Sequence, residues 1–253
     1  MRERWRGVRR PLGLIDPEAE GFGILGLAKH VESPAARLLV LPGDPESSDI
    51  EFDEAFWTWW NAEHPDPATG GSVRWGATTR PCSFAALRYD EGPGSTWRHY
   101  VALHRNGALD VTLGHEAAFE SGSPPRRVFR LTQVVARVWA ALSLYGLAIG
   151  RYAPAGPYEV SFALLGTRAG ILAGFGREWA EPSGVFGEFG RCLESNLWMR
   201  REVSAWPDEA GVRKLAFSLG GCVEDGWGVR ERRFLFRQGP QAGEFDPNSY
   251  RPW

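Results

Sequence analysis

Along the chain, apolar and polar positions switch repeatedly between short β-like runs and two longer runs at helical spacing. Residues 8 to 41 alternate brief apolar runs with Gly and Pro. The clearest strand among them is Ala36 to Leu41, closed by Pro42-Gly43-Asp44-Pro45. Asp53 and Glu54 then precede Phe56, Trp57 and Trp60, which share one helical face. A capping side chain and an acid in the first turn predict a short helix, ended by His64-Pro65-Asp66-Pro67. Gly70-Gly71 opens a loop toward a strand near Val73 to Trp75.

Trp97 to Leu113 carries the sharpest local signal. Two β-rich runs flank Asn106-Gly107, the pair favoured in a two-residue type I′ turn, so a hairpin is predicted. That turn sets Tyr100 opposite Leu113, Ala102 opposite Val111 and Leu103 opposite Asp110. Tyr100, Ala102, Leu109, Val111 and Leu113 then face the core. After a linker at Ser121 to Pro125, the run from Arg126 to Gly150 spaces Val128, Leu131, Val135, Val138, Leu142 and Tyr145 as a long central helix. Tyr158 to Leu165 and Ala169 to Phe175 form a strand-turn-strand around Gly166-Thr167-Arg168. Pro182 to Gly190 reads as an ordered loop and Leu193 to Val203 as a strand. A second helix opens at Trp206-Pro207-Asp208-Glu209, turns Val212, Leu215, Ala216 and Leu219 inward, and ends at Gly220-Gly221. Arg232 to Arg237 is a last strand. The fold class predicted is α+β, antiparallel β-hairpins packed on one long central helix. It is arranged as a single globular domain over residues 1 to 253, or as two intimately packed halves, 1 to 120 and 121 to 253.

Composition narrows the function classes. Charged residues are 24% of the chain and hydrophobic ones 43%, a globular balance that excludes wholesale disorder. The formal net charge of −2 provides no global field toward phosphate or acidic lipid, so such a partner needs a local patch. Cys82, Cys192 and Cys222 are isolated and odd in number, which predicts free thiols in a reducing compartment. The arginine-rich start is not followed by an unbroken apolar stretch, since Asp16, Glu18 and Glu20 interrupt it. Arg130, Gln133 and Arg137 likewise interrupt the apolar stretch from Val128 to Ile149, so no membrane span is predicted and the expected location is the cytoplasm. Arginines number 27 against two lysines, a bias that points to a GC-rich bacterial genome at least as strongly as to phosphate recognition.

Candidate chemistry begins with the histidines. His99, His104 and His115 lie close in sequence, beside Asp110 and Glu116. The predicted hairpin separates them: His99 and His104 point to opposite faces, and His104 and His115 stand roughly 20 Å apart along the ladder. No metal is therefore predicted, although His99 stays within reach of Glu116 or Asp110 as an acid-base pair. No nucleophile elbow, Cys-x-x-Cys pair or phosphate-loop Gly-Lys-Ser is present, and Cys82 reads as a packing thiol. Gly21-Phe22-Gly23-Ile24-Leu25-Gly26 matches a loose dinucleotide fingerprint but lacks the sustained helix that must follow. No cofactor is predicted. The remaining signal is arginine interleaved with aromatic rings: Arg126, Arg130 and Arg137 on the long helix, Arg232 and Arg233 beside Phe234, and Arg200 and Arg201 as a third group. Ion pairing of these arginines with Glu202, Glu224, Asp225 and Glu231 on a solvated face is the simpler explanation. Twelve tryptophans add to this, because Trp57, Trp59 and Trp60 cannot all enter one core from a short helix.

Phe129-Arg130-Leu131-Thr132-Gln133, Val138-Trp139-Ala140-Ala141-Leu142, Pro157-Tyr158-Glu159-Val160, Arg200-Arg201-Glu202-Val203 and Arg232-Arg233-Phe234 together resemble a region of actinobacterial proteins. In those proteins the region lies C-terminal to a Schlafen-type, AlbA-like nucleic-acid-binding module. The resemblance covers roughly residues 126 to 246, and the module itself is not found in the first 120 residues. It implies an accessory or sensor region linked to defence or transcriptional control, and it transfers no site residues. The function expected is a non-catalytic binding module acting on a protein partner or a second copy of itself, or on nucleic acid. Its contacts are expected from Arg126, Arg130, Arg137, Arg232, Arg233, Trp57 and Trp60. The alternative is a hydrolase whose histidine and carboxylates converge from distant positions.

Overall fold

The computed structural model describes residues 31, 35–44, 49–82, 85–92, 96–121, 123, 126–152, 154, 156–173 and 191–228. Its centre is a seven-stranded sheet, antiparallel throughout, built from β1 (Ala35–Pro42), β4 (Thr78–Pro81), β5 (Ala85–Glu91), β6 (Trp97–His104), β7 (Leu109–Leu113), β10 (Tyr158–Leu165) and β12 (Asn196–Val203). The spatial order is β12-β10-β1-β7-β6-β5-β4, so the first described strand lies in the middle. A second sheet joins β8 (Ala118–Ser121), β9 (Arg126–Arg130) and β11 (Ile171–Ala173), and β2 (His64–Asp66) pairs with β3 (Gly71–Val73). With α1 (Glu54–Asn61), α2 (Leu131–Tyr152) and α3 (Glu209–Gly226), the molecule is an α+β protein.

Strand alternation gives the large sheet two distinct faces. Leu38 and Val40, Val101 and Leu103, Leu109 and Val111, and Val160 and Phe162 bury one face against α2. The helix supplies Val135, Val138, Leu142 and Tyr145, and α3 packs beside it. Among the described residues α2 is the one helix long and apolar enough to cross a membrane, but most of that apolar stretch is buried inside the molecule. The other face carries Leu87, Tyr89, Tyr100 and Ala102, with the buried polar residues Arg37, Asp110, Thr112, Glu159 and Ser161.

Four predicted features differ from the structure, each for a physical reason. The hairpin exists, but its register is shifted by one residue: Tyr100 pairs with Thr112 and Ala102 with Asp110. The connection is a type I-like turn in which Gly107 N–H donates to the His104 carbonyl at 2.9 Å, with Gly107 at φ +79°, and His104 N–H returns to the Ala108 carbonyl at 2.8 Å. That is the three-residue loop with a glycine bulge, not the two-residue turn. A one-residue slip moves a whole strand to the opposite face. Tyr100 and Ala102 therefore leave the helix-packed face and Val101 and Leu103 take their place.

The long helix starts at Leu131 rather than Arg126, because β8 holds residues 126–130 from one side and β11 from the other. Two ladders of backbone bonds outweigh the helical periodicity of a few apolar side chains. Strands β10 and β11 do not pair with each other. Strand β1 and strand β12 already occupy both edges of β10, so the chain turns away at Gly166 and Ala169, both at positive φ, and β11 joins β9 in parallel. Helix α3 also continues through Gly220-Gly221 to Gly226, anchored by buried Val223 and by Trp227, whose indole N–H donates to the Gly170 carbonyl at 2.8 Å. The predicted elements at 8–30, 182–190 and 232–237 lie outside the described residues.

Candidate functional site

Each histidine on the hairpin has a different environment. His104 is fully buried on the face shared with Tyr100, and burial pushes its imidazole down to about 3. His115 sits exposed in the turn after β7. His99 faces the α2 side, where Nδ1 lies 3.3 Å from Glu116 Oε1 and Nε2 lies 3.7 Å from Asp90 Oδ2. Asp90 is brought there by the β5–β6 ladder, in which it pairs directly with His99. Glu116 comes from the turn 114–117, closed by an Ala117 N–H bond to the Gly114 carbonyl at 2.8 Å.

Arg137 of α2 completes this group, donating from Nη2 to Glu116 Oε1 at 3.2 Å with its guanidinium 5.7 Å from the Trp75 ring centre. Burial alone would raise the Glu116 carboxyl. The His99 and Arg137 charges and hydrogen bonds outweigh it and hold the group at about 2, an anion at every ordinary pH. The two carboxylates approach different ring nitrogens, so they form an acid-imidazole-acid chain and not one ligand cage. Among the described residues no three His, Cys, Asp or Glu side chains come together to hold a metal. Of the two partners that sequence reading allowed for His99, the structure brings in Glu116. It sends Asp110 to the opposite face.

Asp110 belongs to a second buried polar group that crosses β1, β7 and β6. Arg37 donates from Nε to Thr112 Oγ1 at 2.9 Å and from Nη2 to the Tyr100 hydroxyl at 2.9 Å. Tyr100 in turn donates to Asp110 Oδ1 at 3.0 Å. Burial pushes the Tyr100 phenol up, which keeps it protonated as the donor this chain requires. At the β10–β12 end of the same face, Glu159 is ion-paired with Arg200 and accepts from Ser161 Oγ at 3.4 Å.

Of the arginines and tryptophans singled out in the sequence, those among the described residues are dispersed. Trp60 is 1% exposed and stacks with Phe56 at 6.0 Å, inside the core. Trp57 is half-buried, its indole N–H bonded to the Phe52 carbonyl at 3.1 Å. Trp59 closes on Tyr152 at 5.5 Å and on His64 at 5.2 Å, so the α1 rings pack on the end of α2. Arg130 lies 4.5 Å over the Phe119 ring and donates to Gln133 Oε1 at 3.3 Å. Arg126 falls in β9 rather than on the helix, and Arg232 and Arg233 lie outside the described residues.

Among the described residues, exposed arginine and tryptophan come together elsewhere, on β12. This strand ends the sheet, and its side chains alternate between buried Leu197 and Met199 and exposed Trp198 and Arg200. Trp198 is 54% exposed, and Leu193 just before the strand is 86% exposed. Arg201 and Glu202 are exposed on the same strand. Sequence reading gave Arg200 and Arg201 as a minor group and passed over Trp198. The usable signal was its position in an alternating strand whose other parity is apolar.

Comparison with protein-family models, curated proteins and solved structures finds no match to this chain. The class is therefore defined by fold: an α+β protein with a seven-stranded antiparallel sheet, helices on one face and an exposed aromatic-basic strand at one edge.

Proposed function

We propose that this protein is a non-catalytic binding module of a bacterial cytoplasm that contacts a protein partner through arginine and tryptophan side chains on β12. One observation carries the reading: a tryptophan more than half exposed on an edge strand, flanked by Arg200 and Arg201. Trp and Arg are enriched among the few residues that carry most of the contact energy at protein interfaces, and edge strands recruit partners through their free backbone groups. The near-neutral net charge favours a protein over a phosphate backbone. Three free thiols fit a reducing compartment, and the resemblance of residues 126–246 to a bacterial accessory region fits a role in defence or transcriptional control.

The test is cross-linking in a bacterial extract, with wild-type protein and a Trp198→Ala/Arg201→Ala variant. Partner cross-links that map to β12 and vanish in the variant are expected. Cross-links that ignore β12, or that persist in the variant, sink the reading. Retention of DNA or RNA that falls steeply with salt moves it to nucleic acid. A second reading, a hydrolase, is favoured by the His99 contacts with Glu116 and Asp90. It requires ester or phosphoester turnover that Glu116→Gln abolishes while the fold is kept.

A further inference from the structure

Strand β12 pairs along its full length with β10 on one side, and no described strand adjoins its other edge. On one face it presents Asn196, Trp198, Arg200 and Glu202, and on the other Leu197, Met199, Arg201 and Val203. We propose that the partner on this edge is a second copy of the same chain, joined β12 to β12 about a twofold axis, an inference that rests on the reading of β12 as a contact strand.

The argument is one of register. A twofold axis perpendicular to the joined sheet puts the same face of both copies on the same side. Directly opposed residues must then share a face, and alternation allows only pairs whose numbers are both even or both odd. Pairing that overlaps all eight residues would set Asn196 against Val203, an even number against an odd one, so it is excluded. Two registers overlap seven residues. One centres on Arg200 and opposes it to the second copy's Arg200, a like-charge pair that destabilises.

The other register centres on Met199. It sets Trp198 against the second copy's Arg200 twice, a cation and ring pairing, and Asn196 against the second copy's Glu202 twice, amide to carboxylate. Leu197 meets the aliphatic stem of the second copy's Arg201. No like charges face each other. Edge charges usually block strand association; here they exclude the neighbouring register and leave one that is self-complementary. The Trp198 carbonyl accepts a thiol hydrogen from Cys222 at 3.8 Å, a weak bond that a backbone amide would replace.

The register makes opposite predictions for two substitutions at one exposed position. Sedimentation of the full chain from about 1 to 100 μM should show a monomer-dimer equilibrium. Trp198→Arg opposes two arginines to two arginines and should weaken the dimer by at least about tenfold. Trp198→Glu creates two ion pairs with Arg200 and should keep the dimer. Circular dichroism melts of both variants report any loss of fold. A monomeric wild type, a dimer that Trp198→Arg leaves intact, or one that Trp198→Glu breaks as strongly overturns the inference. A monomeric wild type whose β12 still cross-links to other proteins overturns the inference alone and leaves the reading of β12 standing.

Discussion

Single side chains in this protein are held by the company that the sheet assigns them. Arg37 and Asp110 stand on neighbouring strands, both buried, with Tyr100 and Thr112 bonded between them. Asp110→Ala removes the carboxylate that accepts from Tyr100 and pairs with the buried Arg37 guanidinium, and a loss of about 3–5 kcal/mol in urea unfolding is expected. Glu116, His104 and His64, whose imidazole is lowered by burial to about 4, shape the pH response. The Glu116 carboxyl lies at about 2 in the folded chain against 4.5 for a free side chain, so its contribution is complete above pH 4.5 and fades as pH falls toward 2. The buried His104 imidazole, lowered to about 3 from 6.5, favours the neutral form. Its contribution is complete above pH 6.5 and is lost progressively below it. Urea midpoints measured across pH should therefore begin to fall below about pH 6.5. The fall should be shallower there in His104→Leu, and shallower below pH 4.5 in Glu116→Gln.

At the scale of elements, turn geometry decides which faces meet. Gly107 is the residue at positive φ that fixes the β6–β7 register, and a Cβ there would come within 2.6 Å of Pro154 Cβ. Its carbonyl also accepts the Tyr145 hydroxyl of α2 at 2.8 Å, which ties the hairpin to the helix. Gly107→Ala combines left-handed backbone strain with that clash, and a loss of about 2 kcal/mol or more is expected in thermal melts. Tyr145→Phe removes the one bond and should cost about 1 kcal/mol. The starts of α1 and α3 were legible in sequence because their signals are local: Asp53, read as a cap, accepts the Phe56 N–H at 2.7 Å, while Asp208, read into the first turn, is itself the cap and accepts the Gly211 N–H at 2.9 Å. The start of α2 was not, because β8 and β11, which hold residues 126–130 as strand, come from elsewhere in the chain.

Across the whole molecule, the strand order places β1 and β10 in the interior of the sheet and β12 and β4 at its ends. Amides of β1 and β7, bonded on both sides and covered by α2, should exchange with solvent last, and those of α1 and the β2–β3 pair well before them. Hydrogen exchange read by mass spectrometry gives that order directly. The sequence by itself determined where β1, β6, β7, β10, β11 and β12 and the bodies of the three helices lie, the cap of α1, the opposed faces of His99 and His104, and the α+β class. All of these depend on side-chain alternation or on contacts within a few residues. Only the tertiary structure decided the β6–β7 register, the start of α2, the partners of β10 and β11, and the meeting of Asp90, His99, Glu116 and Arg137. It also left Trp198, rather than Trp57 or Trp60, at the exposed edge. Each of these is fixed by pairing between strands far apart in the chain, where the winning partner depends on every competing edge and face and not on the local pattern.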